Sequence, residues 1–266
     1  MKGKIRMNEI QKFREESLER IEKLSGANDL HHKSFDWIEK ASTFGWTYNF
    51  TWLSLPAIQF PNDMWAIQEI IYTQKPDLII ETGIARGGSL VFYASMLALL
   101  DLEENSINNT PYLISNSRRK VLGIDIDIRS HNRSEIENHP LSSLIEMIEG
   151  SSTGKESLAL VNEIAKKYTN VMVILDSNHT EAHVLKELED YSKLISDGGF
   201  LIVLDTVIEF TPAVTFADRS WGVGNNPFTA VRRFLNQNPD FIARDDISNK
   251  LSITVAPGGY LQKIQK

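Results

Sequence analysis

Beyond Pro76 the chain repeats one unit: a short run of Val, Ile and Leu, a break, then an amphipathic stretch. The runs at 77–81, 120–125, 143–149, 170–175 and 200–204 show little polar alternation, which is the pattern of strands buried on both faces. Helical patterns at 88–100, 154–167, 180–195 and 227–236 lie between or after them. Strands separated by helices demand right-handed crossovers, so the expected architecture is α/β, a mainly parallel sheet with helices on both faces. Two last runs, 241–245 and 251–255, are joined by a turn at 246–249 and are expected as antiparallel neighbours at one edge, making a sheet of seven strands.

Residues 1–75 read as an N-terminal helical and aromatic segment, a substrate wall or oligomer contact, and residues 76–266 as the α/β domain. Ile10, Phe13, Leu18, Ile21 and Leu24 recur at helical spacing, and a second helix is expected over 31–41 with Asp29 as its cap. A third helix, capped by Asn62 or Asp63, would turn Trp65, Ile67, Ile70 and Ile71 inward. Between them lies an aromatic run from Phe44 to Trp52, read as core or as a stacking surface; Met64 and Met96 read as core. The apolar surplus of the helical segment points to a homo-oligomer.

Composition closes off several chemistries. There is no cysteine, which removes disulfides, zinc–thiolate sites, iron–sulfur clusters and thiol nucleophiles. Asp plus Glu outnumber Lys plus Arg by 35 to 28, a poor match for a nucleic-acid partner, though not for a small anionic substrate. The charged N-terminus lacks the apolar centre of a signal peptide, and the longest apolar stretch, 90–100, falls short of the roughly 20 residues a bilayer requires. A cytoplasmic protein without a membrane span is expected.

The segment Asp77-Leu-Ile-Ile-Glu-Thr-Gly-Ile-Ala-Arg-Gly-Gly-Ser-Leu90 is a buried strand, a glycine turn and a helix start, where a ligand can meet unpaired N–H groups. Gly83, Ala85 and Gly88 fit a loosened dinucleotide fingerprint, yet Glu81 would repel a pyrophosphate and suits a cationic ligand group instead. Asp125, ending the next strand, is placed to accept ribose hydroxyls, although 37 residues beyond Gly88 it lies farther on than the dinucleotide rule expects. A tight turn with no ligand is the plain alternative.

Several stretches resemble the cephalosporin hydroxylase (CmcI-like) family of class I S-adenosylmethionine-dependent methyltransferases. They include Phe50-Thr-Trp-Leu53, Gln59-Phe-Pro61, Glu81-Thr-Gly-Ile-Ala-Arg-Gly-Gly-Ser89, Gly123-Ile-Asp-Ile-Asp-Ile-Arg129, Ile148-Glu-Gly-Ser-Ser152, Leu175-Asp-Ser-Asn-His179 and Asn226-Pro-Phe-Thr-Ala-Val231. The resemblance covers about residues 45 to 262. It implies a Rossmann-like sheet, bound S-adenosylmethionine, Mg²⁺, and O-methylation of a sugar or natural-product acceptor. On this reading Glu81, Thr82, Gly83, Ala85, Gly88, Ser89 and Asp125 hold the cofactor, with Ser151 and Ser152 beside the adenine and Asp176 nearby. The two serines can equally cap the helix that follows.

Asp176 and Asp205 each follow a buried strand, so both point into the crevice at the strands' carboxyl ends. With Thr206 they can offer oxygen ligands to a hard cation. His179, three residues after Asp176, is the candidate base, or else caps a helix. His183 at i+4 makes an unconvincing ligand pair with it, since no third soft ligand is in sight. The family carries two adjacent acids where this chain has Leu204-Asp205, so Thr206 or water fills the gap, or His179 works without metal. Arg129, His131 and Arg133 would meet an acidic substrate or pair with Glu135 and Glu137, and acceptor choice is expected in loops 44–61 and 207–226. A nicotinamide oxidoreductase and a non-catalytic methyltransferase-like subunit stay open as alternatives; the absence of a Tyr-x-x-x-Lys pair speaks against the first.

Overall fold

The computed structural model describes residues 2–265 apart from 213, 214, 216 and 217, with side chains from residue 8 onward. The N-terminal part holds α1 (Lys2–Ser25), α2 (Asn28–Ser42), a two-stranded ribbon of β1 (Thr51–Trp52) and β2 (Leu55–Pro56), and α3 (Pro61–Gln74). Then come β3 (Leu78–Thr82), α4 (Gly88–Ile107), β4 (Lys120–Asp125), α5 (Ser130–Glu137), β5 (Ile145–Glu149) and α6 (Lys155–Ala165). The chain closes with β6 (Val171–Leu175), α7 (Glu181–Tyr191), β7 (Phe200–Val203), α8 (Pro227–Gln237), β8 (Phe241–Ala243), α9 (Asp245–Leu251) and β9 (Tyr260–Lys263).

Seven strands form one sheet in the order β5-β4-β3-β6-β7-β9-β8. The first five are parallel, and β9 runs antiparallel to both β7 and β8. Because side chains alternate across a strand, the central strands feed two cores. Ile79, Met172, Ile174 and Ile202 face α3 and α4. Leu78, Ile80, Val173 and Leu201 face the other side, where α6, α7 and α8 supply Val161, Leu188 and Phe234. β3 and β6, central and covered on both faces, are buried at every position, which is why their sequences lack polar alternation.

The last strand lies elsewhere than the sequence suggests. Residues 245–251 form α9, whose first turn carries Asp245 and Asp246 where the helix dipole favours acids. Ile253 and Val255 are apolar because they pack on the core, not because they pair in the sheet. Asp63 anchors that segment: it accepts from Val255 N at 3.0 Å, from Tyr260 OH at 2.6 Å and from the Thr254 hydroxyl. Asp63 is thus no helix cap; the N-cap of α3 is Phe60, and no side chain caps it. Trp65, expected inward, is 65% exposed, while Ile67, Ile70 and Ile71 are buried. Asp29 sits in the first turn of α2 and not at its cap.

α1 packs on α9 and leaves Ile10, Phe13 and Leu18 exposed. In the aromatic run, Trp46 meets Trp37, Phe50 and Phe60 edge-on at 4.9 to 5.0 Å, whereas Phe44 and Tyr48 are exposed. Among the described residues no helix is long and apolar enough to cross a membrane.

Candidate active site

β3 ends at Thr82, and the chain turns through Gly83 at φ +89° and Gly87 at φ +83° before α4 begins. These glycines serve close packing. A Cβ on Gly83 would run into the backbone carbonyl of Asp176, and one on Gly88 into that of Pro56. Asp125 tethers the turn from the neighbouring strand: its Oδ2 accepts from Ile84 N at 2.8 Å and Ala85 N at 3.2 Å. A cavity of about 1010 Å³ opens at this end of the sheet. Gly83, Ala85, Gly88, Ser89 and Asp125 line it, and so do Ser151 and Ser152. Asp176, His179 and Asp205 line the same space.

Glu81, Thr82 and Thr206 do not reach the cavity wall; all three are fully buried. Thr82 O accepts from Asp176 N at 2.9 Å, so its backbone fixes where Asp176 leaves β6. Thr206 Oγ1 donates to Pro257 O at 2.9 Å and is turned away from the acidic pair. Glu81 receives Ser89 Oγ at 2.7 Å and Tyr93 OH at 3.0 Å, which clamps α4 to β3. Burial pushes its pKa up to about 8 against the pull of those two hydrogen bonds, and the Asp125 charge adds to the rise. Near neutral pH this shift favours the protonated, neutral acid.

That proton has a measurable consequence. The fold retains it at pH values where the unfolded chain has lost it, so stability falls as pH rises from about 4.5 to about 8. Glu81→Gln removes this fall. Between about pH 5 and about pH 9 the wild type should lose at least roughly 5 °C more in Tm than the variant; equal losses in thermal scans would contradict the buried neutral acid.

Asp176 follows β6 directly, and Asp205 follows β7 after Leu204. Asp205 adopts φ +57°, a left-handed conformation that aspartate tolerates better than most residues. An oxygen of each carboxylate and a ring nitrogen of His179 all lie within 4.8 Å of one another. His179 Nδ1 stands 3.4 Å from Asp205 Oδ2, and its ring lies 4.9 Å from that of Trp221. Burial, then the Asp205 charge, raises the Asp176 pKa well above the usual carboxylate range. Two carboxylates crowded in one place need a shared proton or a cation, and this donor set of two acids and an imidazole fits a divalent cation.

The remaining candidates separate cleanly. His183 Nε2 contacts Ser152 Oγ at 3.0 Å and Ser177 Oγ at 3.1 Å, away from the acidic cluster. Arg133 pairs with Glu149 at 2.8 Å and Glu137 at 3.5 Å, and Arg129 with Asp127 at 3.7 Å. Loops 44–61 and 207–226 both reach the cavity, through Tyr48 and Ile58 on one side and Thr211 and Trp221 on the other; four residues of the second loop lie outside the described residues. Gln59 was missed as a site residue. Its Nε2 donates to Asp176 Oδ2 at 2.8 Å, a contact spanning 117 positions; the Gln59-Phe-Pro61 stretch that carries part of the resemblance is the signal that could have found it.

A five-stranded parallel sheet extended by an antiparallel strand inserted before the edge, with a glycine turn after its central strand and an acid at the end of the next, is the class I methyltransferase fold. The family model for rhamnosyl O-methyltransferase/CmcI matches residues 44–264. The chain belongs to that family, and it is an S-adenosylmethionine-dependent O-methyltransferase. The nicotinamide and non-catalytic alternatives fall with this finding. The rhamnosyl O-methyltransferase of Mycobacterium bovis (strain BCG / Pasteur 1173P2) is 28% identical over 218 residues, covering 81% of this chain and 78% of that protein. The Mycobacterium leprae (strain TN) protein of the same name is 27% identical over 213 residues, covering 79% and 82%. Among solved structures, CmcI in its Mg–SAM form superposes with a TM-score of 0.52 at 15% identity, over 82% of this chain and 77% of that one. An O-methyltransferase from Bacillus cereus in complex with SAH gives 0.50 at 17% identity, over 89% and 90%.

Proposed function

We propose that this chain methylates a hydroxyl of a sugar or secondary-metabolite acceptor, with Asp176 and Asp205 holding a divalent cation, Mg²⁺ in the simplest case. The observation that carries this reading is the convergence of two carboxylates and His179 on the same cavity as the glycine turn and Asp125. The names of the mycobacterial relatives support a sugar, and the Mg–SAM form of CmcI supports the metal.

The cofactor is assigned to the side lined by Gly83, Ala85, Gly88 and Ser89, with Asp125 toward the ribose and Ser151 and Ser152 toward the adenine. Glu81 and Thr82 shape this wall from behind. S-adenosylmethionine supplies a methyl group on a sulfonium, already bonded to a good leaving group. The cation, when bound, supplies positive charge that orients the acceptor and lowers its hydroxyl pKa.

His179 takes the proton. Asp205 beside Nδ1 fixes the ring and leaves its other nitrogen for the acceptor. The acceptor oxygen bonds to the methyl carbon as the carbon–sulfur pair withdraws onto sulfur. Orientation in the cavity provides much of the rate. Trp221, tilted at 56° to the neighbouring His179 ring and with the Arg219 guanidinium 5.4 Å from its centre, offers a flat face to a sugar's C–H surface. Segment 1–75 contributes Tyr48, Ile58 and Gln59 to the opposite wall. The exposed Ile10, Phe13 and Leu18 of α1 support a homo-oligomer.

A second reading has one observation in its favour: the His179 nitrogen is close enough to both carboxylates to serve as a third ligand. His179→Ala separates the two. As a base it should cost about 10²–10⁴ in kcat with cation affinity kept; as a ligand it should lose cation affinity as well. The overall function is tested by supplying labelled S-adenosylmethionine with deoxyhexosides and phenols, with and without EDTA. Label should enter the sugar and vanish with EDTA. Transfer to phenols alone would refute the sugar, and transfer indifferent to EDTA would refute the cation.

A further inference from the structure

Gln59 enters the acidic cluster from outside the sheet. It lies between β2 and α3, is 6% exposed, and lines the cavity beside Pro56 and Ile58. Its Nε2 donates to Asp176 Oδ2 at 2.8 Å. The segment that carries it is firmly held: Ala57 N donates to Phe50 O at 3.0 Å, and the Phe60 ring abuts Trp46 at 5.0 Å. Pro61 then starts α3. An amide so fixed determines the plane in which the Asp176 carboxylate lies.

The choice of side chain matters as much as its position. A lysine or arginine here would cancel the negative charge that a cation needs. A primary amide gives the half-buried carboxylate a hydrogen bond while leaving its charge intact, and it occupies one lone pair, so the others stay available toward Asp205 and His179. Partners of this kind behind a ligating carboxylate orient it and tune the metal.

We infer that Gln59 is a positioning residue that sets the Asp176 carboxylate for a divalent cation, and so ties cation affinity to the cavity wall at residues 55–60. The inference rests on the cation reading above and adds to it a residue with no ligand role of its own. Because the same short segment bears Pro56 and Ile58, an acceptor pressing on this wall acts on the cation through Gln59, and by linkage the cation acts on the acceptor.

The test uses the full chain and Mn²⁺, with binding read from the loss of the free-ion paramagnetic resonance signal. Two variants are compared: Gln59→Leu, which keeps bulk and loses the donor, and Gln59→Asn, which keeps the amide but withdraws it by one methylene. Each should weaken Mn²⁺ binding about 10-fold or more, with S-adenosylhomocysteine affinity within about threefold of wild type and Tm in EDTA nearly unchanged. A purely structural residue would instead lower Tm and leave Mn²⁺ affinity alone. Unchanged Mn²⁺ affinity in a folded variant of either kind overturns the inference. If the wild type itself binds no Mn²⁺, the cation reading fails and takes this inference with it, whereas binding lost only in the variants separates the two.

Discussion

Replacing Asp205 with asparagine should lower the rate of methyl transfer about a thousandfold while leaving the fold and the cofactor affinity in place. Asn shares the tolerance for a left-handed backbone that φ +57° at this position demands, so the turn after β7 survives the exchange. What disappears is charge. On the proposed function, the cation would lose one of its two carboxylates and His179 the anion 3.4 Å from its Nδ1. Loss of one preorganised electrostatic partner costs about 10²–10³ and weakening of a general base about 10²–10⁴, and the two overlap because they act as a unit. The comparison is kcat/KM at saturating S-adenosylmethionine, with S-adenosylhomocysteine affinity and Tm measured alongside. A fall of less than about tenfold would place the chemistry elsewhere.

Gly83→Ala should be among the most damaging small substitutions at the site, with a loss of about 4 kcal/mol or more and a fall in Tm of at least roughly 7 °C. Two costs add. At φ +89° an alanine pays backbone strain of about 1–2 kcal/mol. Its Cβ also meets the Asp176 carbonyl, which is not free to retreat because Asp176 N is bonded to Thr82 O at 2.9 Å and Gly83 N to Ile124 O at 2.7 Å. Ala85→Gly is the matched control. Ala85 already sits at φ +47°, so glycine relieves strain there and should be neutral or stabilising by up to about 1 kcal/mol. Thermal unfolding of both variants decides the matter; a Gly83→Ala protein as stable as wild type would mean that β3 and β6 do not approach as closely as described.

What the sequence reveals and what it hides divides along physical lines. The strands at 120–125 and 170–175 were legible because strands covered on both faces must be written in Val, Ile and Leu. Asp176 and Asp205 were legible because strand ends in an open α/β sheet point into its crevice. The strand expected at 251–255 is absent because Ile253 and Val255 pack on the core in a segment that Asp63 anchors, its bond to Thr254 spanning 191 positions. Glu81 reads as a ligand-facing carboxylate; its concealment depends on Tyr93, in the second turn of the next helix, folding back on it. Thr206 sits beside Asp205 in sequence, yet the left-handed turn sends the two side chains apart. Gln59 and Trp65 show the same limit from opposite sides: one is called in and the other left out by packing that local periodicity does not encode.

The central claim is that one cavity holds the methyl donor and a cation side by side, with the cation between the ends of β6 and β7. Crystals grown with S-adenosylhomocysteine and Mn²⁺, with data collected where manganese scatters anomalously, test it directly. The account predicts one anomalous peak among the Asp176 and Asp205 carboxylates and the His179 ring, with the thioether in the same cavity beside the Gly83 turn. Cofactor in place with no peak at that position, or a peak held by other residues, would contradict it.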